Sequence, residues 1–106
     1  MTEIFRKSRP RNMPPVHPGV ILRDEILPAL NISVSTAARE LGVSRQTLHR
    51  IMSGQLGVST ETALRLGRWC GNGAGIWARM QQSYDLWFLE QKLTAELEAI
   101  PSRLAA

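Results

Sequence analysis

Four polar side chains fall together near the middle of this 106-residue chain: Arg45, Gln46, His49 and Arg50, within SRQTLHRIMSG. These are residue types that read base edges. An arginine guanidinium can pair bidentately with guanine and a glutamine amide with adenine, while a histidine one turn along can add a further contact. Arg50 suits a phosphate contact or a solvated charge. Leu48 and Ile51 are apolar residues of the same stretch. If they face a core, helical geometry turns the four polar residues outward or toward the helix start. Ser35, Thr36 and Ser44 fall at candidate helix starts. There a hydroxyl and free backbone amides can hold phosphate, or the hydroxyl can serve as a cap alone.

Other chemistries find little support. An enzyme would need a nucleophile with a base, paired acids or a phosphate loop, and none is recognisable. His17 adjoins Pro18 at a helix entry and His49 lies on the polar face just described, so they cannot act as a pair. Cys70 is the single cysteine. It cannot form an internal disulfide, and with two isolated histidines it offers no metal-ligand spacing, so neither metal nor cofactor is expected. No apolar run approaches the ~18 residues of a membrane span, and MTEIFRKSRPRNMPP lacks a signal-peptide core, so a cytoplasmic location is expected. The net charge of +4 fits a polyanionic partner, and the N-terminal stretch holds Arg6, Lys7, Arg9 and Arg11 against Glu3 alone.

The elements that must position these residues are all helical. Residues 1–16, with Pro10, Pro14 and Pro15, read as a basic arm. Pro18 can open a first helix carrying Leu22, Ile26 and Leu30, and Pro28 should stop or tighten it. Ser33 or Ser35 can cap a second helix ending at Gly42, Ser44 a third ending at Gly54, and Ser59 a fourth in which Ala63, Leu66, Gly67 and Cys70 share one face while Glu61, Arg65 and Arg68 point away. A long fifth helix is predicted from about Gly75 to Leu97, with Trp77, Met80, Tyr84 and Trp87 on one stripe. No segment alternates as a half-buried strand does, so the expected class is all-α. One helical module over residues 17–98 would then lie between the arm and a tail of residues 99–106.

Between Val34 and Ser53 the pieces of a helix-turn-helix coincide. Ala38 sits where two helices would touch, Gly42 can take the turn, and Ala37, Leu41, Val43, Leu48 and Ile51 supply the inward face. In this motif the second helix enters the major groove with its N-terminal residues against base edges. That assigns base readout to Arg45, Gln46 and His49, and backbone contacts to Ser35, Thr36, Ser44 and Arg50.

From about Met13 to Leu89 the chain resembles the HigA-type antitoxins, a branch of the Xre/Cro-like repressors. The blocks HPGVILRDEIL, STAARELGVSRQTLHRIMSG, GVSTETALRLGRWCG and IWARMQQSYDL carry the resemblance in order. It implies a five-helix Xre/Cro/lambda-repressor-like fold, a homodimer, repression of the family's own operon, and neutralisation of a RelE/HigB-like ribonuclease toxin. Three features depart from the family pattern, one of them the longer and more basic stretch of the first twelve residues. Gly73 and Ala74 stand where Ser or Thr followed by Pro usually opens the last helix, and Gln55-Leu56 replaces basic residues after the recognition helix. Alternative readings are a stand-alone Cro-like repressor or a mainly toxin-sequestering module.

Independently of the resemblance, the run Leu86, Trp87, Phe88, Leu89 puts bulky apolar groups on every side of the fifth helix. One core cannot cover them all, so a second chain is the simplest cover, with Trp87 and Phe88 as interface candidates. Two recognition helices ~34 Å apart would meet successive major grooves, which predicts a palindromic double-stranded operator.

Overall fold

The computed structural model describes residues 13–104, so the basic side chains of the arm lie outside the described residues. Every regular element among them is helical. Helix α1 covers residues 18–30, α2 Val34–Leu41, α3 Arg45–Met52, α4 Thr60–Cys70, α5 Ala74–Lys92 and α6 Thr94–Glu98. Leu22, Ile26, Ala37, Leu48, Ile51, Ala63, Leu66 and Trp77 are almost wholly buried, and these come from α1 to α5, so one core ties the five together.

Helix α1 starts at Pro18 as expected, where the missing N–H costs nothing. Pro28 does not end it. The residues before it, Leu22–Ile26, widen into a π-helical turn in which the Leu27 amide donates to the Leu22 carbonyl, and the helix resumes through Leu30. A proline ring clashes with the carbonyl four residues back, and a widened turn moves that carbonyl aside. The helix closes at Asn31, which takes the left-handed conformation with φ 54°.

The last helix also differs from its sequence pattern. It was expected to run unbroken to Leu97, yet Leu93 leaves helical geometry at φ −101° and ψ 16°. The Thr94 hydroxyl donates to the carbonyls of Glu90 and Gln91, at 3.0 and 2.9 Å. A side chain that takes these carbonyls competes with the backbone ladder and bends the chain. The outcome is the long α5 followed by the short α6.

His17 ties the start of α1 to α5. Its buried imidazole accepts the Gly19 amide at Nδ1, 2.9 Å away, and meets the Tyr84 ring edge-on at 4.9 Å. Desolvation is the larger influence and lowers its pKa, while the nearby Asp85 charge raises it in part. The folded state therefore binds this proton less readily than the unfolded chain. The stabilisation is complete above the ordinary histidine pKa of about 6.5 and is lost as pH falls from there through the lowered folded-state pKa. Between about pH 7.5 and 5.5 the melting temperature should therefore fall, and His17→Asn, which keeps a capping oxygen, should flatten that decline. Calorimetry of both proteins across this range checks it, and equal slopes would assign the acid sensitivity to other groups.

Candidate nucleic-acid interface

The helix-turn-helix forms from α2 and α3. Ser33 caps α2 by accepting the Thr36 amide at 3.1 Å, which settles the choice between Ser33 and Ser35. The turn is a Schellman arrangement: Gly42 adopts φ 75°, its amide donates to Arg39, and the Val43 amide donates to Ala38. Ser44 then caps α3 by accepting the Thr47 amide at 3.0 Å. Three caps repeat one pattern, with Ser33, Ser44 and Ser59 each accepting the amide of a threonine three residues on and donating to its hydroxyl. The threonine stands where a capping box would carry Glu or Gln.

On α3, Leu48, Ile51 and Met52 are buried, while Arg45, Gln46, His49 and Arg50 are all exposed. Among the described residues, neither Arg45 nor Arg50 has an acidic partner. Their charge is therefore not compensated locally. Helix α1 holds the far end of α3 by direct backbone approach, since a Cβ on Gly19 would fall 1.8 Å from the Ile51 carbonyl oxygen.

The candidate backbone residues are not equivalent. Ser35 is exposed and takes no part in the cap, and Thr36 accepts from Ser33, which leaves its own proton to donate outward. The Ser44 hydroxyl is committed in both directions, to the Thr47 amide and the Thr47 hydroxyl. At the start of α3 the groups left for an anion are the amides of Arg45 and Gln46 and the hydroxyl proton of Thr47, a residue that the sequence reading passed over. Its signal was the repeated Ser-x-x-Thr spacing.

A second missed residue is Gln81, almost fully buried on α5. Its Oε1 accepts the Val58 amide at 2.8 Å, and its Nε2 donates to Asp85 at 3.0 Å. This holds the loop that leads from α3 to α4. Because a buried amide left without a partner costs about 1–3 kcal/mol, Gln81→Met should lower stability by that amount, read as the denaturant midpoint. A change below about 0.5 kcal/mol, the size of an ordinary surface substitution, would mean that water satisfies Val58.

The proposed interface pair lies on a different helix, α5. Trp87 is half-buried and Phe88 exposed, with the Phe88 ring tilted against Tyr84 at 4.6 Å. Phe88 is 43% exposed, and Leu86 and Leu89 near it in sequence and Ile100 after α6 are 53%, 48% and 63% exposed. Leu93, at the junction of the two helices, and Leu97 on α6 are exposed as well. Cys70 is half-buried, and burial pushes its thiol up to about 11, so it stays protonated at neutral pH and does not act as a nucleophile. Among the described residues no helix is long and apolar enough to cross a membrane, and no acidic, histidine and cysteine cluster could hold a metal ion.

Residues 7–74 match the model of a helix-turn-helix domain family. Virulence-associated protein I of Dichelobacter nodosus is 43% identical over 79 residues, covering 74% of this chain and 73% of that protein. A Pseudomonas aeruginosa protein solved in complex with its 18-bp operator DNA is similar with a TM-score of 0.78 and 39% identity, covering 89% of this chain and 100% of the other. The antitoxin HigA of the same organism, solved with the higBA promoter, gives 0.78 at 37% identity, covering 86% and 99%. On matches of this extent the chain belongs to the helix-turn-helix domain family, in the branch of Xre-like DNA-binding regulators that includes the HigA antitoxins.

Proposed function

We propose that this chain is the antitoxin of a type II toxin–antitoxin pair. It binds a palindromic operator as a homodimer, represses its own operon and neutralises a RelE/HigB-like ribonuclease toxin in the cytoplasm. The observation that carries the DNA reading is the polar face of α3, where four exposed side chains stand opposite the buried Leu48, Ile51 and Met52. Arg45, Gln46 and His49 read bases, while Arg50, Ser35, Thr36 and the amides at the start of α3, with Ser44 as the cap that shapes it, hold the backbone. The working module is residues 17–98, flanked by the arm of residues 1–16 and the tail of residues 99–106.

The dimer reading is supported by the exposed apolar surface on α5 and α6, which a second copy would cover through Trp87 and Phe88. Support for a toxin partner comes from the similarity to HigA antitoxins. Co-expression with the product of the adjacent gene tests it. The two proteins should co-purify, and this chain should restore growth arrested by the toxin. If the neighbour neither binds nor arrests growth, the chain is a stand-alone repressor.

A further inference from the structure

The carbonyls at the end of α2 are shared among several donors. The Schellman turn satisfies Ala38 and Arg39, but the carbonyl of Leu41 lies beyond its reach. Arg65 fills that place from α4, its Nη1 donating to the Leu41 oxygen at 2.9 Å across 24 residues of sequence. Arg65 is exposed, as its place in the sequence pattern implies, and its guanidinium reaches from there to the end of α2. Glu61 holds the guanidinium from the same helix, at 3.4 Å from Nε. One turn along, the indole of Trp69 donates to Glu40 at 3.0 Å. Helix α4 thus grips two consecutive residues at the end of α2, and the positive guanidinium sits at the negative end of that helix dipole.

The turn is shaped to admit this contact. A Cβ on Gly42 would come within 2.7 Å of Arg65 Nη1, so the left-handed glycine serves both the turn and the arginine. Only Gly42 and Val43 separate Leu41 from Ser44, the cap of α3. Wherever Leu41 is held, the start of the recognition helix follows.

We infer that Arg65, assisted by Trp69, is a positioning residue that sets the direction from which Arg45 and Gln46 enter the groove. This inference rests on the DNA reading above. The probe is the duplex that wild-type protein enriches from a random 30-bp library, compared with a scrambled duplex of the same composition. Arg65→Ala should weaken binding to the enriched duplex about tenfold, equivalent to ~1.4 kcal/mol, while binding to the scrambled duplex changes less than about twofold. The salt slope should stay near that of wild type, whereas a lost phosphate contact would reduce it by about 0.9. Placed in the Arg45→Ala, Gln46→Ala background, Arg65→Ala should cost little more, because the interaction it serves is already gone. Trp69→Phe keeps the ring, removes the indole N–H and should lower discrimination about two- to fivefold, in line with the net worth of one hydrogen bond. It also decides the matter if Arg65→Ala does not fold. Equal losses on both duplexes with a reduced slope would make Arg65 a direct phosphate contact and overturn the inference, as would unchanged discrimination in either variant. If wild-type protein enriches no sequence at all, the DNA reading itself fails.

Discussion

Phe88→Glu is expected to leave the proposed dimer as a monomer and to weaken operator binding by about 10²-fold or more, because two half-site contacts joined in one particle gain that much from effective concentration. The Phe88 ring is exposed on the isolated chain, so its replacement leaves the core almost untouched. In a dimer it would be buried, and a carboxylate there would have to be desolvated without a partner. Trp87→Glu should split the dimer as well, but Trp87 is half-buried within its own chain, so that variant should also lose stability. Light scattering and thermal melts separate the two effects. If both variants remained dimeric at micromolar concentration, the apolar surface of α5 and α6 would not be the interface.

Arg45→Ala and Gln46→Ala should each cost about 1–3 kcal/mol of operator binding, with preference relaxed at one base position per residue. Both side chains are exposed at the first turn of α3, the turn that this motif presents to base edges. The double variant should lose specific binding and keep its fold. The proposed readout uses a stripe of polar groups, whereas a protein partner favours aromatic and arginine anchors. The double variant should therefore still co-purify with the proposed toxin and restore growth. If the folded double variant failed in both respects, the two surfaces would overlap.

Much of this was legible in residue order because it depends on local patterns. Ala38, Gly42, Leu48 and Ile51 mark a helix-turn-helix through spacing alone, and each capping serine announces the helix that follows it. What escaped was set by competition or by distance. Pro28 reads as a place where the helix stops or tightens, yet the core burial of Leu22, Ile26 and Leu27 favours a continued helix, and a widened π-turn reconciles the two. The apolar repeat through Leu97 reads as one helix, but the Thr94 hydroxyl divides it. Gln81 and Arg65 look like surface residues until the fold brings Val58 and Leu41 to them, and no sequence spacing shows that a backbone group 23 or 24 residues away needs a partner.

The central claim is that two copies of α3 read one symmetric DNA site. Selection by wild-type protein from a random duplex library, followed by hydroxyl-radical footprinting of the enriched sequence, tests this most directly. The account predicts an inverted repeat with half-sites centred about 10 bp apart, protected on one face of the helix. Enrichment of a single unrepeated site, or of no sequence, would contradict it.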